Sequence, residues 1–354
     1  VEETSLPKIE ILETKSRVPW SGHMASYAIE AIYQKIKKSS LTIVFVNTRA
    51  QAELVFNKLW QENENNLRIA IHHGSLEKEI RRKVESLMSS GKIDCVVATS
   101  SLDLGIDWGD VDLVVQIGSP KGISRFLQRI GRSNHRFDEP SNALLVPSNR
   151  FEYLECLSAI NSIKNKLLDE TKEKKGSLDV LAQHILGVAC SEPFQVDELY
   201  NQVINAWPYR NLTKIKFFEV LEFVKNGGYS LKHYEQYSKI GVNKDKFYAI
   251  KNKSVRNRYR LNVGTIVESY MLKVKLGNRT LGQVEEWFIE GLNEGDTFLF
   301  SGRVLEYQSI SNNNVVVRYS SHTQPKIPSY AGGRLPLSTE LSIEVRKLLS
   351  KKQF

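Results

Sequence analysis

The sequence is poor in cysteine and has no long apolar run. Its three cysteines, Cys95, Cys156 and Cys190, lack the C-x-x-C spacing of zinc ribbons and thioredoxin-like sites. An odd cysteine count without a disulfide pattern favours a reducing, cytoplasmic location. No apolar run approaches the about 18 residues of a membrane span, and there is no signal-peptide pattern. We therefore expect a cytoplasmic protein without a membrane partner, and the start at Val1 rather than Met indicates a fragment.

Acidic residues are outnumbered by basic ones. The 354 residues include 49 Lys and Arg against 40 Asp and Glu, which gives a formal net charge of +9. Such an excess favours a polyanionic partner, most commonly nucleic acid, although a solvated basic surface explains the charge equally well. The chain is long enough for two or three domains, each with its own core.

The organisation along the chain predicts three domains. Between Thr42 and Pro147, short β-branched runs alternate with amphipathic helical stretches, which is typical of a doubly wound parallel α/β sheet. A charged linker at Asp169–Ser177 ends this domain, predicted at 1–170. Three helices and a short strand at Phe247–Ile250 then outline a winged helix at 171–255. From Arg258 onward, strand patterns such as RYRLNVGTIV predict a β-rich, barrel-like domain, an antiparallel sheet or barrel, at 256–354.

Two polar motifs follow predicted strands of the parallel sheet, where such sheets bind ligands. In IVFVNTR, Thr48 and Arg49 can hold a phosphate, although Thr48 is equally suited to capping the next helix. In HHGSL, Gly74 permits close backbone approach to a ligand. The pair His72 and His73 suggests a metal site, but neighbouring strand residues point to opposite faces, so we expect no metal there.

Two further motifs carry groups that suit a nucleotide. In ATSSLDLGIDWGDVDLVVQIG, Thr99 and Ser100 leave a strand, and Asp107, after the turn at Gly105, offers a carboxylate to a ribose hydroxyl. The stretch QRIGRSNHR concentrates guanidinium groups that can stabilise charge during triphosphate hydrolysis, with surface ion pairs as the alternative. Its candidate residues are Gln128, Arg129, Arg132 and Arg136.

The order of these motifs resembles the motif order in the second RecA-like lobe of superfamily-2 helicases. In that comparison IVFVNTR is motif IV, ATSSLDLGIDWGD is motif V and QRIGRSNHR is motif VI. The chain is similar to the Lhr family, and to its ligase-associated DEXH-box branch, through HHGSLEKEIRRKVE, FLQRIGRSNHRFDEPS, SLDVLAQHILG and PKIPSYAGGRLPLST. The residues after Arg132 depart from the usual pattern, so His135 and Arg136 both remain candidates for the last arginine's role.

The resemblance implies an ATP-dependent DNA helicase or translocase that acts in DNA repair. It implies single-stranded or partly duplex DNA as substrate, with an RNA–DNA hybrid as a further candidate, and a DNA ligase or other repair protein as a partner. It assigns Gly105, Asp107 and Arg136 to the nucleotide, and Gln128, Arg129 and Arg132 to catalysis at the γ-phosphate. It assigns the tracking strand to Thr48, Arg49, His73, Gly74, Thr99 and Ser100.

Two motifs of a complete helicase are absent from the sequence. There is no G-x-x-x-x-G-K-[ST] loop and no D-E-x-H box; after Gly277 and Gly282, Gln283 stands where lysine is required. Binding of ATP and Mg²⁺ is therefore expected to need a first RecA-like lobe, and the chain alone is expected to show negligible ATPase activity.

A basic segment at Ser230–Asn262 suggests further nucleic-acid contact. It holds nine Lys and Arg, Lys251, Arg256 and Arg258 among them, against two acids, a net +7, with aromatic residues interleaved. The alternative is a solvated wing whose aromatics belong to the core. For the whole chain, two other hypotheses remain: a stand-alone nucleic-acid-binding or regulatory protein built on a degenerate motor lobe, and a winged-helix transcription factor.

Overall fold

The computed structural model describes most of the chain. The described residues are 7–22, 24–103, 111–133, 140–169, 173, 175–228, 231, 233–234, 238–261, 264, 270–322, 324–328, 330 and 336–350. Contacts divide the chain into two compact units. One comprises residues 1–170 together with 269–354, and the other comprises residues 171–268.

The first unit contains a parallel sheet. Its strands are β1 Lys8–Ile11, β2 Thr42–Phe45, β3 Ile69–His72, β4 Cys95–Ala98, β5 Leu113–Ile117 and β6 Asn142–Val146. They are ordered β1-β6-β5-β2-β4-β3 and every neighbouring pair is parallel. All four residues of β2 are buried, which explains why this central strand is apolar from Ile43 to Phe45. The predicted doubly wound α/β lobe is confirmed.

Helices cover both faces of this sheet. They are α1 Ile29–Ile36, α2 Arg49–Gln61, α3 Lys78–Ser89, α4 Ile123–Ile130 and α5 Arg150–Lys164, joined by α11 Thr339–Ser350 from the end of the chain. Val44 and Val46 pack on one face with α1 and α2, while Ile43 and Phe45 pack on the other face with α3. The core of α4, α5 and α11 adjoins β6. Burial of each such large apolar side chain contributes about 1.5–3 kcal/mol.

The β-rich part of the first unit is a five-stranded sheet. It consists of β9 Met271–Leu276, β10 Arg279–Glu285, β11 Thr297–Phe300, β12 Arg303–Ser311 and β13 Asn314–Tyr319, with a short helix α10 at Glu286–Glu290. The order is β10-β9-β13-β12-β11. The strands pair antiparallel except β13 and β9, which are parallel. The predicted β-rich fold is confirmed, although the sheet is mixed rather than purely antiparallel and belongs to the same compact unit as the parallel sheet.

The second unit is the predicted winged helix. Its elements are α6 Leu178–Ser191, α7 Val196–Ile204, α8 Lys214–Asn226, β7 Ile240–Val242, β8 Tyr248–Ile250 and α9 Lys253–Leu261. β7 and β8 form an antiparallel hairpin, and Phe194 bridges to Tyr248 on its other side. Its core is formed by α6, α7 and α8 with this small sheet.

One prediction about this region is wrong. The stretch RYRL, expected to begin the β-rich domain, lies in α9, and the predicted boundary between residues 255 and 256 falls inside that helix. Asn252 explains the helix, because its side-chain oxygen accepts a hydrogen bond of 3.2 Å from the backbone N–H of Val255. The first β-strand of the β-rich sheet begins at Met271.

Candidate functional site

The end of β2 places Thr48 and Arg49 at the carboxyl edge of the sheet. Thr48 is exposed and caps α2, since its hydroxyl accepts a hydrogen bond of 3.1 Å from the N–H of Gln51. Arg49 is half-buried: its Nη1 donates to Ser75 Oγ at 2.8 Å, and its guanidinium lies 5.2 Å from the ring centre of Tyr330. Thr48 therefore caps α2 through its oxygen, which acts as an acceptor. Because the hydroxyl is exposed, its hydrogen can still be donated to a ligand.

The two histidines at the end of β3, His72 as its last residue and His73 directly after it, point to opposite sides of the sheet, as the strand pattern predicts. His73 is fully buried, and its Nε2 lies 3.0 Å from Glu53 of α2. His72 contacts Glu85 of α3 at 3.1 Å and Ser101 at 2.8 Å. Burial lowers the pKa of His72. Within the described part of the chain, no cluster of three or more His, Cys, Asp or Glu could hold a metal ion.

The burial of His73 changes its predicted role. A side chain with 0% exposure cannot contact a nucleic-acid strand, so His73 is an internal contact between the loop and α2. The adjacent Gly74 is exposed, and its Cβ position would meet no atom within 4 Å. The backbone at Gly74, rather than the imidazole of His73, is what a ligand can approach.

Motifs V and VI are joined by a buried ion pair. Arg129 of α4 is 1% exposed, and its Nε donates to Asp103 at 2.8 Å while its Nη1 donates to Gln116 of β5 at 2.6 Å. Its guanidinium also lies 4.8 Å from the ring centre of Phe45. Burial lowers the pKa of Arg129, and the carboxylate of Asp103 opposes that shift. This position favours a positioning role for Arg129 over the predicted direct contact with phosphate.

Gln128 and Arg132 are more accessible than Arg129. Gln128 is exposed on the last turn of α4, and Arg132 follows one helical turn later and is half-buried. The Nη2 of Arg132 donates to the backbone carbonyl of Asp103 at 3.1 Å. Of the three predicted catalytic side chains, Arg129 and Arg132 are therefore bonded to the motif V loop, and Gln128 is exposed on the same helix as Arg129.

The remaining predicted contacts are divided between exposed and buried positions. Ser100 is exposed at the start of a short 3-10 turn, whereas Thr99 is only 7% exposed. The backbone N–H of Thr99 donates to the carbonyl of His72 at 3.3 Å, which fixes this turn against the end of β3. Gly105, Asp107, His135 and Arg136 lie outside the described residues, so their assignments stay predictions.

The β-rich sheet holds the HHGSL loop through its backbone. Leu76 forms an antiparallel bridge with Gly282 of β10, with Gln283 N–H donating to Ser75 at 2.9 Å and Glu77 N–H donating to Leu281 at 3.1 Å. A side chain at Gly282 would place its Cβ 2.2 Å from the carbonyl oxygen of Ser75, and its φ is +155°. Only glycine allows this approach.

The carboxylate of Glu53 makes a second connection to that sheet. It accepts hydrogen bonds from the backbone N–H groups of Ser301 and Gly302, at 2.6 and 2.7 Å, besides its contact with His73. Glu53 has 0% exposure, so these three donors compensate the loss of its hydration. The turn between β11 and β12 is thereby fixed to α2.

The glycine pair considered as a phosphate loop has another explanation. Gly277, with φ +57°, lies in the turn between β9 and β10, and Gly282 lies within β10. The two glycines therefore belong to a β-hairpin, whereas a phosphate-binding loop joins a strand to a helix.

Three residues of the site were not predicted: Glu53, Asp103 and Gln116. Glu53 lies on the apolar stripe of α2, and Gln116 interrupts an otherwise apolar strand. A polar residue at a position that must be buried requires a hydrogen-bonding partner. That mismatch was the available signal, although it does not identify the partner.

The predicted basic segment has several roles. Lys251 and Arg258 are exposed, whereas Arg256 is half-buried and its Nε donates to the carbonyl of Cys190 at the end of α6, at 2.7 Å. Tyr248 stacks on Phe194 with ring centres 5.7 Å apart, which makes it a core residue. The segment therefore combines exposed cations with structural contacts.

Two families of known domains match this chain. Residues 25–137 match the helicase conserved C-terminal domain, and residues 161–327 match the winged helix domain of the large helicase-related protein. The chain is 36% identical to ATP-dependent helicase Lhr-Core protein 2 of Thermococcus barophilus over 325 residues, which are 90% of this chain and 38% of that protein. The chain belongs to the Lhr family of helicases.

Other members and a solved structure agree with this assignment. Lhr-Core of Methanocaldococcus jannaschii is 36% identical over 88% of this chain and 36% of its own length. The Mycobacterium smegmatis helicase Lhr, solved with ssDNA and AMP-PNP, is 28% identical with a TM-score of 0.61, over 75% of this chain and 34% of that one. The chain thus spans under two fifths of the curated relatives it matches.

A more distant structure supports the fold alone. The DUF1998 helicase MrfA, bound to DNA and AMPPNP, is 18% identical with a TM-score of 0.64, over 89% of this chain and 42% of that one. Within the described part of the chain, no helix has both the length and the apolar character that crossing a bilayer requires.

Proposed function

We propose that this chain supplies the second motor lobe and the accessory nucleic-acid-binding domains of an ATP-dependent DNA helicase or translocase. The observation that carries the proposal is the buried pair of Arg129 and Asp103, which holds the exposed Gln128 and the half-buried Arg132 of motif VI beside motif V. The helicase C-terminal domain match and the Lhr relatives support it. The narrower placement in the ligase-associated branch, with a role in DNA repair and a ligase or another repair protein as partner, belongs to the same proposal.

The residues of this chain suggest how the nucleotide is used. Bound ATP would supply the γ-phosphate, with Mg²⁺ offsetting part of its charge; the guanidinium of Arg132 would pair with its oxygens and the amide of Gln128 would donate a hydrogen bond there. Arg132 is oriented by its bond to the carbonyl of Asp103 and can stabilise negative charge that develops during hydrolysis. Arg129 neutralises Asp103 in the interior and so keeps that carbonyl in place.

The strand-binding groups lie along the carboxyl edge of the sheet. Thr48, Ser100 and the backbone at Gly74 are exposed there and can donate hydrogen bonds to phosphate oxygens. Arg49 is already oriented by Ser75, so less conformational freedom is lost when it contacts a phosphate. The substrate we propose is single-stranded or partly duplex DNA.

The test is a reconstitution of ATP hydrolysis. We expect the chain alone to release phosphate from ATP only at background, and to gain DNA-stimulated, Mg²⁺-dependent activity when the first RecA-like lobe of an Lhr-Core relative is supplied. Arg132→Ala should then lower the rate by about 10³-fold or more, the range for an arginine that stabilises the phosphoryl transition state.

A matched control separates this role from general damage. Arg346 is an exposed arginine of α11, outside motifs IV, V and VI, and Arg346→Ala should leave the reconstituted rate unchanged. Strong hydrolysis by the chain alone would contradict the proposal. Reconstituted hydrolysis that survives Arg132→Ala would contradict the role of Arg132, and DNA binding without any rescue would favour a stand-alone binding protein.

A further inference from the structure

The second unit contains a helix at the position where DNA-reading proteins place their recognition helix. α8 follows α7 and the turn at residues 205–213, so it is the second helix of a helix-turn-helix arrangement. In such proteins this helix enters the major groove and reads bases through arginine, lysine, asparagine and glutamine side chains.

The charged side chains of α8 are already paired. Its three lysines each contact a carboxylate: Lys214 with Asp197 at 2.6 Å, Lys216 with Glu219 at 2.7 Å, and Lys225 with Glu222 at 2.8 Å. The helix contains no arginine or glutamine. With its two glutamates and the nearby Asp197, α8 offers no net positive charge to a phosphate backbone.

The uncharged side chains of α8 are also poorly suited to reading bases. Its one asparagine, Asn226, donates to Glu222 at 3.3 Å. Its accessible surface includes Ile215, which is 75% exposed, and Phe223, which is 57% exposed. The recognition helix therefore has no arginine or glutamine, its lysines and asparagine are already bonded to carboxylates, and it lacks the net positive charge that groove binding requires.

The wing and the helix after it have the opposite character. Seven cations along residues 239–260 are all exposed: Lys239, Lys244, Lys246, Lys251, Lys253, Arg258 and Arg260. Asp245 is the one acid within residues 238–261. Among the residues that the structure describes, none of these seven side chains forms an ion pair. Their charge is available to a polyanion.

The tip of the wing carries two of these exposed cations. Lys244 and Lys246 lie in the turn between β7 and β8, where Asn243 N–H donates to the carbonyl of Phe247 at 3.0 Å and Phe247 N–H donates to the side chain of Asn243 at 2.8 Å. The turn is thus internally bonded, so its two ammonium groups are held apart from the core.

We propose that the second unit binds the phosphate backbone of DNA through the wing and α9, without reading base sequence, and that α8 takes no part in the contact. This inference rests on the proposed nucleic-acid function and assigns it to one face of the unit. It also accounts for the basic segment at Ser230–Asn262, whose exposed cations belong to that face.

The test compares two double variants with equal charge change. Lys244→Gln with Lys246→Gln removes two wing cations, and Lys214→Gln with Lys216→Gln removes two from α8. The full 354-residue chain would be titrated with homopolymeric and mixed-sequence single strands of equal length over a range of salt. The slope of log affinity against log salt is negative, and we expect the wing variant to make it shallower by about 1.4, which is about 0.7 for each lost phosphate contact. The α8 variant should keep the slope of the unaltered chain.

The outcomes separate this inference from the proposed function. If the unaltered chain shows no salt-dependent binding, the nucleic-acid function is wrong and this inference falls with it. If the chain binds but the α8 variant loses as much slope as the wing variant, only the assignment to the wing and α9 is overturned. A strong preference for one base sequence would overturn the backbone-only contact. Circular dichroism melting of both variants should show equal stability, since all four lysines are exposed.

Discussion

Arginine is used in two ways in the two units. In the first unit, Arg129 is 1% exposed and is bonded to Asp103 and Gln116, whereas in the second unit Arg258 is exposed and contacts the hydroxyl of Ser254 at 3.4 Å. The buried arginine fixes the relative position of two motifs, and the exposed one remains available to a ligand. Residue type and motif membership alone do not distinguish these roles; burial does.

The largest expected effect is on stability at the buried arginine. Arg129→Ala leaves the carboxylate of Asp103 in the interior without its main partner, which should lower the free energy of unfolding by about 3–5 kcal/mol. Urea denaturation of the purified chain measures this. Arg258→Ala should change it by less than about 0.5 kcal/mol, because that side chain is exposed.

A double variant sharpens the same comparison. If Arg129 acts mainly by compensating Asp103, the combined Arg129→Ala and Asp103→Ala variant should lose less stability than the sum of the two single losses. Additive losses would show that the two side chains contribute independently, and the positioning role of Arg129 would have to be abandoned.

A smaller effect is expected at the contact between the β-rich sheet and the HHGSL loop. Gly282→Ala should lower the free energy of unfolding by at least about 2 kcal/mol, because its Cβ would overlap the carbonyl oxygen of Ser75. Gly277→Ala is the control: its φ is also positive, at +57°, but no atom lies within 4 Å of its Cβ. That variant should lose only about 1 kcal/mol from backbone strain.

Hydrogen exchange locates the loss. In Gly282→Ala the N–H of Gln283, which donates to Ser75, should exchange faster than in the Gly277→Ala control. Equal losses in the two glycine variants would mean that close approach at Gly282 is not what holds the loop.

The smallest expected effect is a pH dependence from His72. Burial lowers the pKa of His72 in the folded chain, with Glu85 opposing the shift and Arg81 adding to it, so the unfolded chain binds the proton more readily. Stability should therefore fall as the pH decreases through about 6.5, the ordinary histidine value, towards the lower folded value.

Comparison of two histidine variants isolates this contribution. His72→Gln should reduce the difference in unfolding free energy between about pH 7.5 and about pH 5.5, whereas His184→Gln, at an exposed position of α6, should leave it as in the parent. An unchanged pH difference in His72→Gln would refute the assignment to this side chain.

The sequence predicted the order of elements well because the parallel sheet is buried on both faces. Strand runs such as residues 43–45 must then be apolar, and the helices between them must carry one apolar stripe. The mistaken strand at Arg258 shows the limit, since alternating basic and aromatic residues fit a helix surface as well as a strand. The helix cap at Asn252 favours the helix over the strand, and an asparagine before this stretch was the signal in the sequence.

The sequence predicted which loops form the candidate site, but not which of their side chains contact a ligand and which are internal. Motif order indicates that Thr48, Thr99 and Gln128 belong to one edge, yet it does not show which side chains reach the surface. His73 and Arg129 were expected to touch ligands and are internal. Their partners Glu53 and Gln116 lie 20 and 13 residues away on other elements of the fold, and such pairings depend on tertiary packing.

The backbone pairing of Leu76 with Gly282 limits how this chain can be divided into separately expressed pieces. A shortened chain ending at residue 268 would lack the strand that bonds the loop at residues 75–77 and would leave the carboxylate of Glu53 without its two amide donors. Residues 171–268, by contrast, form an insertion between two segments that belong to one compact unit. The winged helix is therefore the exchangeable module of this chain, and the β-rich sheet has to be kept with the motor lobe in any chimera.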